Sequence, residues 1–276
     1  MKINAPAKVN LALDVVSTYP NGYHELDMVM VPIDIFDEIE VTIAKEDKVM
    51  CLDTLLPLDN TISKMIRICR EQFQLEHCYE VHVKKDIPMQ AGLAGGSADA
   101  AAVCKAILEL ENLNVSFDQQ VQIAKQVGAD VPFCLYNQWA RVQGIGEVIS
   151  PIHTTWKLKA LLLKPDQGVS TPEAFSQWHS QEPMHPDVDA IQKAIEKEDF
   201  EALIQCIDNA LEPCAFQLVP ELESIKEEML ETGLSRVLMS GSGSSLMGFS
   251  ADEKVLMDAQ QKLLKKYHFV RVITIG

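Results

Sequence analysis

The seven cysteines (51, 69, 78, 104, 134, 206 and 214) include no Cys-x-x-Cys pair and are odd in number. A disulfide framework and a zinc site are therefore both poor fits, and a reducing cytoplasm is the expected compartment. No apolar run approaches the roughly 18 residues that a membrane span needs. The apolar start MKINAPAKVNLALDVV is broken by Asn4, Lys8 and Asn10 and has no clear signal-cleavage pattern. Basic residues are scarce: 24 Lys and Arg stand against 40 Asp and Glu, a formal charge of −16. That balance argues against nucleic acid or an anionic membrane as partner, since binding to phosphate polymers is driven by clustered Lys and Arg. Any phosphate must be gripped locally, by backbone N–H groups in glycine turns and at helix N-termini.

What is present is a chain of 276 residues, 47% apolar, long enough for two modest domains. SPIHTTWK near 150–157 is the soft boundary, giving domains at 1–154 and 155–276. Patterning predicts strands near 2–16, 28–34 and 38–45, a helix over 60–73 and a strand in YEVHVKK with Val81 and Val83 on one face. The helix carries its apolar stripe on Ile62, Met65, Ile66, Cys69 and Phe73. A further helix follows the glycine turn at 92–96, and Ser116 with Gln119 reads as a capping box. The second half is helix-rich to 234. It then alternates between strands at 236–240 and 245–249, a helix over 252–266 and the closing strand FVRVITI. Mixed helices and antiparallel strands predict an α+β fold.

Five segments bear on chemistry. IPMQAGLAGGSAD has glycines at 92, 95 and 96, the hydroxyl of Ser97 and a helix start, a combination that can wrap phosphates or be a tight strand-to-helix turn. It fits neither the Walker loop nor the Rossmann fingerprint. Lys8 and Asn10 share one face of an otherwise apolar strand, either as an edge or as groups aimed into a cleft. Asp130, in GADVPFC, is a candidate base or a helix cap. Asn21-Gly22 predicts a hairpin turn, with Tyr23 and His24 beside it as a stacking face and a hydrogen-bonding edge or as surface residues. Gly241-Ser242-Gly243-Ser244-Ser245 is a plain hairpin or a second phosphate-facing wall.

In this order and at these separations, PAKVNLALDV with NGYHEL, IPMQAGLAGGSADAAA, GADVPFC and MSGSGSSLMGF resemble the motifs of the GHMP kinases across the whole chain. The resemblance implies a two-domain GHMP kinase fold. Its N-terminal domain would be like ribosomal protein S5 domain 2 and its C-terminal domain ferredoxin-like. It also implies transfer of the γ-phosphate of ATP, with Mg²⁺, to a hydroxyl of a cytidine-diphosphate sugar alcohol. Lys8 and Asp130 would be the catalytic pair, Asp130 taking the hydroxyl proton. Pro88, Gly92, Leu93, Ala94, Gly95, Gly96, Ser97 and Ala98 would hold ATP, with Asn60 facing adenine. Asn10, Tyr23, His24, Thr171 and Phe175 would bind the acceptor, and Gly241, Ser242 and Gly243 would form the third glycine motif. The implied partner is a small molecule, with no metal site built from protein ligands, and the chain is expected to be a monomer or weak homodimer.

The sequence departs from the family pattern at Asn137-Gln138-Trp139-Ala140, where Gly-Gly-Thr-Ala is common. It also departs at Gly144-Ile145-Gly146-Glu147, which lacks an arginine, and at Ala94, where many relatives carry glycine. A GHMP paralogue of the mevalonate or homoserine type and a non-catalytic nucleotide-binding relative are the competing readings. Tyr23, His24 and Phe175 argue against the first, and Lys8 with Asp130 against the second.

Overall fold

The structure, a computed structural model, describes residues 1–52, 56–178 and 184–276. The chain forms two compact units, and neither is a continuous stretch of sequence. One comprises Met1–Ala7, Ile35–Ile87 and Ala94–Asn137; the other comprises Lys8–Asp34, Pro88–Leu93 and Gln138–Gly276. Two long strands, β1 (Lys2–Thr18) and β2 (His24–Ala44), run through both. Patterning predicts two strands over 28–45, but β2 is unbroken. The acidic DIFDE stretch and Pro32 weaken local strand preference, and pairing overrides it. Residues 26–30 pair with one partner strand, Ile33 with a second and 38–44 with a third. Pro32 stays in the sheet by accepting the Gly276 N–H at 2.9 Å.

In the first unit the second half of β2 pairs antiparallel with β4 (Cys78–Lys84), which pairs in parallel with β3 (Lys48–Cys51). Tyr79, Val81 and Val83 point inward, as the period of two requires. Helix α1 (Thr61–Phe73) buries Ile62, Met65, Ile66, Ile68 and Cys69, while Phe73 is only half-buried. Its start is set by Asn60, whose Oδ1 accepts the N–H groups of Ile62 and Ser63. Helix α2 (Gly95–Leu110) is buried on almost all sides, which its small residues Ala98, Ala100, Ala101 and Ala102 allow. It packs on α1 and on α4 (Val131–Tyr136). Between α2 and α4 lies α3 (Phe117–Val127), opened by the Ser116/Gln119 capping box.

In the second unit the first half of β2 pairs with β5 (Ala140–Gly144), which turns back into β6 (Val148–Pro151). The β1–β2 hairpin closes through residues 19–23, where the Gly22 N–H reaches the Tyr19 carbonyl at 2.9 Å. Next comes β7 (Leu158–Lys164), followed by α5 (Thr171–Trp178), α6 (Val188–Glu196) and α7 (Phe200–Cys206). The short strand β8 (Asp208–Asn209) pairs parallel to β1, and α8 (Glu212–Leu218) follows it. The rest is α9 (Glu221–Leu230), β9 (Arg236–Met239), β10 (Leu246–Phe249), α10 (Glu253–Leu263) and β11 (Phe269–Ile275). The strand order β11-β7-β10-β9, antiparallel throughout, with α9 before β9 and α10 before β11, is the ferredoxin-like βαββαβ arrangement. β7 escapes the sequence reading because the apolar run within LKALLLK is only residues 160–163, too short for periodicity to assign to strand or helix.

The small residues of α2 leave no room for a larger side chain on its buried faces. Ala101→Leu, at a buried position, should destabilise by about 1–3 kcal/mol through overpacking, whereas Glu109→Leu on the exposed edge of the same helix should stay within about 0.5 kcal/mol. Urea unfolding midpoints at constant slope check the pair.

Candidate active site

In the second unit the alternation of β1 puts Lys8 and Asn10 on one face, and both are buried, at 4% and 1% exposure. The Lys8 ammonium donates to Asn10 Oδ1 at 2.7 Å, while Asn10 Nδ2 lies 3.5 Å from the Met28 sulfur. An edge strand with two solvated polar residues is thereby excluded. Two loops converge beside this pair. Ser240, at the end of β9, accepts the Asn10 N–H at 3.3 Å through its hydroxyl and donates to the Gly92 carbonyl at 3.1 Å. The N–H groups of Ser244 and Ser245 reach the carbonyls of Gln90 and Ala91 at 3.4 and 3.2 Å. Gly92, at φ +71°, is obligatory, because a Cβ there would collide with the Ser240 carbonyl oxygen. A Cβ on Gly241 would sit 3.3 Å from Lys8 Nζ, so the third glycine motif lies directly against the lysine.

The hairpin loop itself is held by Asn209, buried on β8, whose Nδ2 donates to the carbonyls of Met239 and Gly241, both at 2.8 Å. Thr171, opening α5, shares a 2.7 Å hydrogen bond with Ser242. Further along that helix Phe175 stacks on His24 with centroids 4.8 Å apart and an interplanar angle of 18°. Trp178 meets the same imidazole edge-on at 6.0 Å. The Thr18 hydroxyl lies 3.1 Å from His24 Nδ1 and fixes the ring from its other end. Tyr23 is 57% exposed beside this aromatic group. Sequence reasoning missed Trp178, although its i+3 spacing from Phe175 marks one helix face. It also missed Ser240 and Asn209, whose roles are hydrogen bonds to backbone that no motif encodes.

In the first unit the second half of the glycine loop opens α2. Ala94 occupies the N-cap in the left-handed region, at φ +57°, and provides no side-chain cap. The leading N–H groups of a helix have no intrahelical partner and carry the positive end of its dipole, so Gly95, Gly96 and Ser97 offer an anion site. Thr61 anchors this turn from α1 by donating to the Gly96 carbonyl at 2.6 Å. Asp130 sits at the N-cap position of α4, yet its carboxylate makes no capping hydrogen bond to that helix. The helix-cap alternative therefore falls. Asn60 is occupied in shaping its loop, since Oδ1 caps α1 and Nδ2 donates to the Pro57 carbonyl at 2.8 Å. Beside it lies a cavity of about 190 Å³ lined by Val49, Leu56, Pro57, Leu58, Asn60 and Ile66 among others.

The departures from the family pattern fall on turns. Asn137 ends α4 in the left-handed region at φ +55°, which asparagine tolerates better than most residues. Trp139 is buried with Gly276 against its indole. Residues 144–147 form the β5–β6 turn, where Glu147 accepts the Ile145 N–H at 2.8 Å.

Beneath the start of α2, Lys85 contacts both Asp37 and Asp99. Burial pushes the Asp99 carboxyl up, to about 7, against the pull of the Lys85 ammonium, and the Asp37 carboxylate pushes it the same way. The folded state therefore holds this proton to higher pH than the unfolded chain, and the group's contribution to stability falls as pH rises from about 4 through about 7. Between about pH 5 and pH 8 the melting temperature of the native protein should drop relative to that of Asp99→Asn, read by calorimetry across the range. Ala94→Gly should relieve about 1 kcal/mol of left-handed backbone strain and raise the melting temperature by a few degrees.

Comparison with known proteins gives a consistent answer. The model of the GHMP kinases N terminal domain matches residues 60–138 and that of the GHMP kinases C terminal domain residues 191–268. The chain is 38% identical to a 4-diphosphocytidyl-2-C-methyl-D-erythritol kinase of Geobacillus kaustophilus, over 90% of this chain and 87% of the relative. It is 39% identical to the enzyme so named in Thermoanaerobacter pseudethanolicus, over 98% and 94%. Among solved structures, a 4-(cytidine 5'-diphospho)-2C-methyl-D-erythritol kinase superposes with a TM-score of 0.83 at 30% identity, covering 100% of this chain and 99% of the other. A homoserine kinase from Cytophaga hutchinsonii superposes at 0.78 with 20% identity, over 100% and 94%, a likeness of fold. With both domain models matched and full-length relatives well above 30% identity, the chain belongs to the GHMP kinases, ATP-dependent kinases of small molecules.

Proposed function

We propose that this protein transfers the γ-phosphate of ATP to the 2-hydroxyl of 4-diphosphocytidyl-2-C-methyl-D-erythritol, a step in non-mevalonate isoprenoid precursor synthesis. The observation that carries the acceptor is the shared identity of full-length relatives bearing that enzyme's name at 38 and 39%. The aromatic group of His24, Phe175 and Trp178 supports it, since a nucleobase is held by stacking and edge hydrogen bonds. In this reading exposed Tyr23 stacks on the cytosine, His24 bonds its edge and Phe175 backs the imidazole. Thr171 and Ser242 extend the same wall. The homoserine-type alternative has only a likeness of fold at 20% identity behind it.

Residues 88–98 grip the nucleotide. Backbone N–H groups at Gly95, Gly96 and Ser97 meet the phosphates, which suits a protein too acidic to attract them at long range. The cavity beside Asn60 takes the adenine, with Asn60 shaping its rim. The Ser97 hydroxyl would be an oxygen ligand of suitable hardness for the Mg²⁺ that accompanies ATP. When bound, the ion neutralises charge on the phosphates. Asp130 accepts the proton of the acceptor hydroxyl. Lys8, oriented by Asn10 rather than by solvent, stabilises the charge that develops during transfer. The two domain matches fall one on each side of a boundary at 154–155, whereas the compact units of the fold interleave along the chain. The cytoplasm is the proposed compartment, in keeping with seven free thiols.

ADP release with Mg-ATP and 4-diphosphocytidyl-2-C-methyl-D-erythritol, beside mevalonate, homoserine and no acceptor, tests the whole reading. Turnover with the cytidylyl compound alone supports it, and turnover only with another acceptor overturns the substrate. Asp130→Asn should lower kcat by about 100-fold or more with ATP affinity within about twofold, while Tyr23→Ala should raise the acceptor KM about tenfold. Equal losses of ATP affinity in both would refute this division of labour.

A further inference from the structure

The second half of β2 alternates, with Ile35, Ile39 and Val41 turned inward and buried. Asp37 occupies an inward position among them and is completely buried. Its Oδ1 accepts the N–H groups of Asp86 at 2.7 Å and Ile87 at 2.9 Å, and its Oδ2 receives the Lys85 ammonium. The same ammonium reaches Asp99 Oδ2 at 2.8 Å, on the second turn of α2. A Cβ on Gly95 would lie 3.4 Å from Lys85 Nζ, so the lysine also backs the first residue of that helix. One cation thus ties together residues 86–87, where the chain enters the glycine loop, and residue 99, just after it leaves.

As a device for stability this is a poor choice. Two carboxylates share one ammonium away from water, and Asp99 Oδ1 is buried with no hydrogen-bond partner among the described residues. Folded proteins rarely leave such atoms unsatisfied, and replacing buried ions by packed apolar groups is often neutral or stabilising. What the cluster does supply is a fixed separation between the two flanks of the loop.

We propose that Lys85, Asp37 and Asp99 are positioning residues for ATP, a buried clamp that holds the flanks of residues 88–98 at the spacing in which the N–H groups of Gly95, Gly96 and Ser97 meet the phosphates. The inference rests on reading 88–98 as the phosphate loop. None of the three side chains needs to touch the nucleotide. Their effect is to keep the loop in its binding shape before ATP arrives.

Two variants of opposite character test it: the isosteric Asp99→Asn and the apolar double substitution Lys85→Met with Asp99→Leu. Each is measured for thermal stability, direct ATP binding, KM for both substrates and kcat. The clamp predicts ATP affinity about tenfold weaker in both, with acceptor KM and kcat at saturating ATP within about twofold, even where the double variant is as stable as the native protein. Lys84→Met, which breaks the exposed Lys84–Glu38 pair next door, should leave ATP binding unchanged. Gly96→Val tests the loop reading separately. If that variant binds ATP normally, the loop reading and the clamp fall together. If it loses ATP while a folded clamp variant binds as the native protein does, only the clamp is overturned, and ATP affinity that merely follows melting temperature across the series also overturns it.

Discussion

The contact between Gly92 and Ser240 is the constraint around which the second unit's polar cluster is arranged. A side chain at 92 would occupy the place of the Ser240 carbonyl oxygen, so glycine is required and the two loop backbones lie against one another. The Ser240 hydroxyl then bridges the Gly92 carbonyl and the Asn10 N–H, and Asn10 in turn holds the Lys8 ammonium. Asn209 fixes the hairpin from behind, and Thr171 joins it through Ser242. Remove the close approach and Asn10, Thr171 and Asn209, far apart in sequence, lose their common reference. Backbone proximity of this kind, obtained through glycine, is more rigid than side-chain contact because no rotamer is left to vary.

The same economy governs charge. A chain with a formal charge of −16 repels anions at long range, which leaves dipoles and charges at short range to hold a phosphate. Lys8 and Lys85 are both largely withdrawn from solvent, where each interaction is stronger than on the surface and each unmet one costs more. Strain accompanies them. Gln90 and Ala94 both hold positive φ in the loop that joins the flanks of the glycine segment, a pattern that clusters at functional sites.

Much of the architecture was legible locally. Amphipathic α1, the Ser116/Gln119 capping box, the β9–β10 hairpin and the alternation of β4 each follow from short-range spacing that a helix or strand converts into one face. The failures have physical causes. β7 is covered on both faces of its sheet, so it loses the alternation that reveals a half-buried strand. β2 runs through Pro32 and an acidic stretch because its four pairing partners, β1, β4, β5 and β11, not its own residues, stabilise the extended conformation. Asp37 was the overlooked signal: an acidic residue at an inward position of an alternating strand demands a buried partner.

The sequence by itself determined which residues are chemically able to act: a lysine and asparagine two apart on a strand, a glycine loop opening a helix, an aspartate after a Gly-Ala turn and an aromatic pair after a hairpin. These are local patterns, and residue type with spacing suffices to state them. Only the tertiary structure decided what each side chain meets. It gave Asn10 to Lys8, spent Asn60 on capping α1, stacked Phe175 on His24, added Trp178, and joined Asp37 and Asp99 through Lys85. Lys85 lies 48 residues from Asp37 and 14 from Asp99, and no local pattern records a contact that only the folded path of the backbone creates.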